Sequence, residues 1–166
     1  MRVALLAGGT GGAKLAAGMQ ELIGSDLAVI ANTGDDTWIH GLHVSPDPDL
    51  ITYWLAGEID EARGWGIRDD SFTVHKRLER LGAPGWFQLS DRDLATCLYR
   101  THFRSEGGSL TAAQGQIARA LGEGDDSTNP VKLAAGGIGL AAGGIAVLVL
   151  LAVAIVVIIL LFKLAL

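Results

Sequence analysis

The chain has 166 residues, a length suited to one domain with an appendage. Its 18 acidic residues outnumber 13 basic ones, and the formal net charge of −5 argues against a nucleic-acid partner, which needs a basic face to neutralise phosphates. The single cysteine, Cys97, excludes an intrachain disulfide; within the apolar run Leu94 to Tyr99 it reads as a small buried hydrophobe.

Arg2 to Ala7 is a short apolar run that ends in glycines, the pattern of a buried strand. Gly8 to Gly12 reads as a turn, and Ala13 to Ile23 as a helix with Leu15, Met19, Leu22 and Ile23 on one face and Gly24 as its stop. Leu27 to Ala31 is a second apolar run of strand length. The order strand, glycine turn, helix, strand opens an α/β fold with a Rossmann-like parallel sheet and flanking helices. No signal peptide is expected, because Val3 to Ala7 is too short for its apolar region, so the globular part is expected to be cytoplasmic.

Asn32 to Asp49 reads as a polar loop with four carboxylates, Asp35, Asp36, Asp47 and Asp49, and two histidines, His40 and His43. A loop at the carboxyl end of a parallel strand is where such folds place ligands. Beyond it the pattern predicts a short helix over Leu50 to Leu55, a longer one over Ser71 to Leu81, and a short strand over Trp86 to Leu89. Ser90 stands three residues before Asp93, the capping-box spacing, which predicts a helix from there to about Phe103. The last polar helix covers Thr111 to Leu121, with Ser109 or Thr111 as its cap and Gly122 as its stop. Residues 1–122 thus form the nucleotide-fold domain and 123–132 a linker. From Leu133 to Phe162 there is no charged residue, which predicts a hydrophobic, transmembrane-like helix over 133–163 that anchors the domain to a membrane. A buried core helix or a β-prone stretch is the alternative for this segment.

Four segments carry candidate chemistry. Gly8, Gly9, Thr10, Gly11, Gly12 and Lys14 form a glycine-rich turn before a helix, where free N–H groups and the helix dipole favour a phosphate. This is neither a Walker A loop, since Leu15 follows Lys14, nor a complete G-x-G-x-x-G. The carboxylates Asp35, Asp36, Asp47 and Asp49 supply hard oxygen ligands suited to Mg²⁺ beside a phosphate. His40 and His43 raise zinc as an alternative that no nearby cysteine or third histidine supports. Arg63-Gly-Trp-Gly-Ile-Arg68 places two guanidinium groups around a tryptophan, suited to an anionic or aromatic ligand or to a loop that packs its own ring. Asp91-Arg-Asp93 opens a helix, where Arg92 could reach a phosphate or carboxylate.

Six segments in this order resemble the CofD family of coenzyme F420 biosynthesis: Gly8 to Lys14, Asn32 to Asp36, Ile39 to Asp49, Arg63 to Arg68, Trp86-Phe87 and Asp91 to Thr96. The resemblance covers about residues 1–122; members of the family continue with further strands and helices. It implies a transferase that joins the deazaflavin Fo to a phospholactyl or phosphoenolpyruvyl group from a guanosine-diphosphate conjugate, with Mg²⁺ assisting and GMP leaving. It further implies that Asp49 and Arg92 bind Fo, that the glycine loop binds nucleotide phosphate, and that Asp35 and Asp36 lie at the metal. Asp36 or Asp49 is then the candidate acceptor for the hydroxyl proton, and a homodimer is a further expectation. The competing readings are a non-catalytic, nucleotide-binding relative of the family and a membrane-anchored relic.

Overall fold

The computed structural model describes residues 2–122 together with residues 134 and 135. β1 (Val3–Ala7) and β2 (Leu27–Ala31) pair in parallel from Val3 opposite Leu27 to Ala7 opposite Ala31. The connection between them is α1 (Gly9–Ile23) followed by a 3-10 turn over Gly24–Asp26, the crossover that parallel neighbours require. The expected α/β opening is therefore present.

The helix starts earlier than the glycine pattern suggests. Gly9 to Gly12 are its first turn rather than a separate loop. Its inward face also differs from the expected one. Ala13 and Ala16 are fully buried, whereas Leu15 and Leu22 are 54% and 84% exposed. α1 lies close to both the sheet and a second helix, and only small side chains fit on its inner face. The core here joins those alanines to Ala7, Leu27, Val29, Ala31 and Ile51, with Met19 and Ile23 at its margin. Burying a Leu, Val or Ile in this way stabilises by about 1.5–3 kcal/mol.

The segment 32–49 is not a loop. It contains a hairpin of β3 (Thr37–Ile39) and β4 (Leu42–Val44), turned by His40 and Gly41. Both turn residues have positive φ, 51° and 78°, as a two-residue type I′ turn requires. Directly after the hairpin comes α2 (Pro46–Leu55), four residues earlier than expected, so Asp47 and Asp49 sit in a first helical turn. Pro46 starts that turn at no hydrogen-bonding cost, because N–H groups there have no partner within the helix.

α3 (Thr73–Arg80), α4 (Asp91–Ser105) and α5 (Leu110–Leu121) match the expected helices closely. Ser109 caps α5 by accepting the Ala112 N–H at 3.1 Å, and Gly122 ends it. The capping box predicted at Ser90 does not form, since the Ser90 hydroxyl is buried with no hydrogen-bond partner. Two carboxylates exchanged across the chain replace it. Asp70 accepts the Arg92 N–H at 2.9 Å and so caps α4, while Asp91 accepts the N–H groups of Thr73 (3.1 Å) and Val74 (3.0 Å) and caps α3. Trp86 to Leu89 is not a strand. Among the described residues no strand pairs with it; Phe87 and Leu89 turn into an apolar cluster with Ile39, Val44 and Cys97, and Trp86 stays 75% exposed.

A two-residue strand, β5 (Ala134–Ala135), pairs in parallel with β2 and gives the sheet order β1-β2-β5. Two residues of the helix expected over 133–163, Ala134 and Ala135, are thus strand residues paired with β2. The rest of that expectation, like the linker over 123–132, lies outside the described residues. Among the described residues no helix is long and apolar enough to cross a membrane.

Candidate functional site

The site is assembled around the first two turns of α2. A cavity of about 460 Å³ opens there. Its walls include Trp65, Trp86 and Phe87, and its acidic side holds Asp47, Asp49 and Asp93. A mostly apolar cavity with aromatic walls and a few carboxylates suits a heteroaromatic ligand.

Asp49 is at the centre of a buried polar network. The Arg100 guanidinium, which has no exposed surface, donates from Nη2 to Asp49 Oδ1 and to Gln114 Oε1 (3.1 Å), and from Nη1 to the His43 carbonyl (3.1 Å). Gln114 Nε2 donates in turn to Thr52 Oγ1 at 3.0 Å, and more weakly to Asp49 Oδ1 and the Pro48 carbonyl, both at 3.3 Å. Burial works against the Arg100 charge, yet the Asp49 carboxylate beside it holds the guanidinium above its ordinary pKa. Burial also pushes the Asp49 carboxyl up, and Arg100 and Gln114 oppose that rise. Guanidinium keeps its charge at any accessible pH, so the buried pair is stable only with Asp49 ionised. Both bonds fall on Oδ1, so Oδ2 takes part in neither, and Asp49 is one of the residues lining the cavity.

Among the described residues Asp93 has no such cation against it. Tyr53, one helical turn beyond Asp49, donates its hydroxyl to Asp93 Oδ1 at 2.7 Å. Burial and the nearby Asp49 charge push the Asp93 carboxyl up to about 7. Burial likewise raises the Tyr53 phenol well above its ordinary value and keeps it a donor. Cys97, expected as a buried hydrophobe, is fully buried, with a thiol that burial pushes well up. Asp49, Asp93 and Cys97 bring ligand-type atoms within 4.8 Å of one another. The Arg100 guanidinium already bonded to Asp49 makes this a poor cation site.

Asp47 connects the cavity to the glycine turn. Its Oδ1 accepts the Gly9 N–H and its Oδ2 accepts from Asn32 Nδ2, each at 2.9 Å. Gly9 has φ +63°, a conformation that L side chains rarely adopt, and a Cβ on Gly8 would stand 2.9 Å from Asp47 Oδ2. With Gly9 taken by Asp47, the N–H groups of Thr10 and Gly11 are the first-turn donors left for an anion. Lys14 does not point into this turn; its ammonium lies 5.5 Å from the centroid of the Trp54 ring.

Asp36 stands beside the hairpin. Its Oδ2 accepts from Ser45 Oγ at 2.8 Å and lies 3.6 Å from His43 Nε2, while Oδ1 is buried with no hydrogen-bond partner. Burial raises its carboxyl, and Ser45 and Arg100 offset part of that rise. Burial, with the positive charges of Arg104 and Arg100, lowers the His43 imidazole to about 4, so this ring is neutral near pH 7. Asp35 is exposed, 3.5 Å from Asn32 Nδ2. His40 is exposed at the hairpin turn while His43 is buried, and among the described residues the two do not join one metal-binding group.

The structure therefore brings Asp49 and Asp47 to one cavity and ties the glycine turn to it, but it leaves Arg92 outside the lining. Arg92 is half exposed; its Nη2 donates to the Arg68 carbonyl and its Nε lies 3.6 Å from Asp70. Arg63 serves its own loop. It is paired with Asp60 at 2.7 Å, donates to the Ile67 carbonyl at 2.9 Å, and stacks 5.2 Å from the Trp65 centroid and 5.3 Å from that of Phe72. In this way it fixes Trp65 as a cavity wall. Sequence reasoning missed Tyr53, Arg100 and Gln114. The available signal was spacing: Arg100 lies seven residues after Asp93 and three after Cys97, on the inward stripe of α4.

The family described as 2-phospho-L-lactate transferase CofD matches residues 3–125. The chain is 45% identical over 136 residues to the phosphoenolpyruvate transferases of Mycobacterium tuberculosis (strain ATCC 25618 / H37Rv) and Mycobacterium bovis (strain ATCC BAA-935 / AF2122/97), an alignment covering 73% of this chain and 40% of each relative. It is 42% identical over 134 residues to the phosphoenolpyruvate transferase of Mycobacterium marinum, with the same coverage. The chain thus spans about 40% of the length of the curated relatives it matches.

Proposed function

The chain belongs to the CofD family, and on that premise we propose that it acts in coenzyme F420 biosynthesis as a transferase of a phosphorus-containing group, with the deazaflavin Fo as acceptor. The donor is a guanosine-diphosphate conjugate. The names of the mycobacterial relatives favour a phosphoenolpyruvyl over a phospholactyl group. The Fo ribityl hydroxyl oxygen forms a new bond to the donor phosphorus, the bond from that phosphorus to GMP breaks, and the hydroxyl proton passes to a carboxylate.

One observation beyond the family carries the reading: the cavity on α2 sets aromatic walls, Trp65, Trp86 and Phe87, against the carboxylate of Asp49. A cavity lined in this way suits a tricyclic ring, with the carboxylate available to its polar edge. Arg92, held at the start of α4 next to Asp93, is within the same neighbourhood and is proposed to meet the ligand outside the cavity proper. Thr10 and Gly11 offer N–H groups to the nucleotide phosphates, and Lys14 would have to leave the Trp54 ring to join them.

Mg²⁺ fits the residues present. Among the described residues the buried Oδ1 of Asp36 has no hydrogen-bond partner and is an oxygen in want of a cation, and Asp35, the preceding residue, carries an exposed carboxylate. The ion would neutralise the diphosphate of the donor. The Asp47 carboxylate at the glycine turn strengthens the case, since two anions at one helix start need a positive charge between them. Of the two candidate proton acceptors, Asp49 is already bonded to Arg100, whereas Asp36 has no cation bonded to it among the described residues. Orientation of the two substrates supplies most of the rate in a reaction of this type.

The test is titration of Fo fluorescence against the full chain with Mg²⁺. Saturable binding, weakened at least tenfold by Asp49→Ala and by Arg92→Ala, supports the assignment. Unchanged affinity in both variants removes it. Formation of the coupled product with GMP release, upon addition of the donor, tests transfer itself.

A further inference from the structure

The cavity holds two carboxyl groups in different electrical settings. The Asp49 and Asp93 groups approach within 4.8 Å of each other, close enough that both do not ionise together at low cost. Arg100 and Gln114 fix the charge on Asp49 and occupy its Oδ1. On Asp93, Tyr53 occupies Oδ1 as a donor, and among the described residues no cation is in contact. The two therefore face the cavity with opposite hydrogen-bonding characters, one an acceptor, the other a carboxylic acid able to donate.

Resting on the reading of this cavity as the deazaflavin site, we propose that Asp49 and Asp93 act as a pair that recognises the imide edge of the ring: Asp49 accepts from the ring N–H, and Asp93, carrying a proton, donates to the neighbouring ring carbonyl. An imide presents a donor flanked by acceptors, and an ionised carboxylate beside a neutral carboxyl is its complement. Two carboxylates would meet the carbonyl with a second anion and repel it. The pair therefore selects flat heterocycles with a –CO–NH–CO– edge against rings of the same size that lack the N–H. Asp93 is a specificity residue in this account, distinct from the groups that carry the transfer.

The setting of Asp93 makes its proton dependent on pH near neutrality. Asp49, Asp47 and Tyr53 face it from α2, Asp70 from the loop before α3, and Cys97 and Arg100 from its own helix. Among these, burial and the charges of Asp49 and Asp70 favour the acid form, and Arg100 and Tyr53 oppose it, with titration at about 7. If only the acid form binds, affinity for Fo falls about thirtyfold between pH 6 and pH 8.5.

The experiment is Fo fluorescence titration of the full 166-residue chain from pH 5.5 to 8.5, beside Asp93→Asn and Asp93→Leu. Asp93→Asn keeps an N–H donor that does not titrate, and any ionisation of Fo itself cancels in the comparison. The expected result is a steep loss for the wild-type chain, a flat profile relative to it for Asp93→Asn, and weak binding at all pH values for Asp93→Leu. Parallel profiles for wild type and Asp93→Asn overturn the pairing. Should the variants not fold, the wild-type chain with an N3-methylated deazaflavin decides: at least tenfold weaker binding supports the pairing, and equal binding overturns it. Failure of the wild-type chain to bind Fo at any pH removes the cavity assignment and the pairing together, whereas a flat profile with binding intact removes the pairing alone.

Discussion

Arg100→Met is the substitution that most directly tests how the site is held. The guanidinium is wholly buried and bonded to Asp49, to Gln114 and to the His43 carbonyl, so it ties α4 to α2, α5 and the hairpin. Methionine fills much of the volume but leaves the Asp49 carboxylate buried without its cation. Breaking a buried pair in this way costs about 3–5 kcal/mol. A domain of this size has roughly 6–18 kcal/mol in all. The variant should fold, with a melting temperature lower by roughly 10–20 °C. The sign with pH follows from the same residue. Without Arg100 the folded-state Asp49 carboxyl lies far above its unfolded value of about 3.9, so the deficit is smallest below about pH 4 and grows as pH rises. Adding Asp49→Leu to Arg100→Met removes the stranded charge and should recover most of the loss. Urea unfolding of the wild-type chain, both single variants and the double variant at pH 5 and pH 7.5 measures the coupling. A loss below about 1 kcal/mol for Arg100→Met, or no recovery in the double variant, refutes the account of a buried pair.

Asp93 also bears on stability. Its folded carboxyl, at about 7, lies above the unfolded value, so the chain is stabilised below about pH 4 relative to higher pH and loses roughly 2–4 kcal/mol as pH rises through 7. Urea midpoints from pH 5 to 8 should fall with pH in the wild-type chain and far less in Asp93→Asn. Asp70→Ala removes the carboxylate that caps α4 and should cost about 1 kcal/mol, read as a lower melting temperature with unchanged helix content. Gly8→Ala places a methyl group against Asp47 Oδ2 at 2.9 Å. It should cost about 1–3 kcal/mol and weaken nucleotide binding at the glycine turn; unchanged binding, by calorimetry, argues against a role for that turn.

The parts of the fold legible in the sequence were those with local causes. Val3 to Ala7 and Leu27 to Ala31 are apolar runs with glycines between, and Ser109 and Gly122 mark the ends of α5 through bonds within four residues. The hairpin at residues 37–44 was hidden because its strands are three residues long and its turn, His40-Gly41, departs from the usual Asn-Gly and Asp-Gly pairs. The capping of α4 was misread because the carboxylate that caps it, Asp70, is 22 residues from the N–H it accepts. In α1 the alanines, not the leucines, face the core, since the spacing between neighbours decides which side chain fits. Asp49 was legible through a resemblance of motifs; Arg100 and Gln114 were not, because a polar residue in a helix reads as solvated until its distant partner is known. Arg100 pairs across 51 residues of sequence.

The placement of the acidic groups on α2 has a single physical logic. Asp47 and Asp49 occupy its first turn, where the positive end of the helix dipole favours carboxylates, worth about 0.3–1 kcal/mol each at an exposed site and more where water is excluded. Being two positions apart on a helix, their side chains diverge by roughly 200° and cannot serve one partner. Asp47 accordingly reaches Gly9 of α1, and Asp49 reaches Arg100 of α4. Tyr53, four residues after Asp49, returns to the same face and meets Asp93. One short helix therefore joins the glycine turn to the aromatic cavity. A change in its start, such as Pro46→Gly, should loosen both ends together, whereas Asp47→Asn should affect the glycine turn while leaving the Asp49–Arg100 pair in place. Parallel nucleotide and Fo titrations of these two variants distinguish the cases. Loss of Fo binding in Asp47→Asn equal to that in Pro46→Gly would mean that the two halves of the site are not held by separate faces of α2.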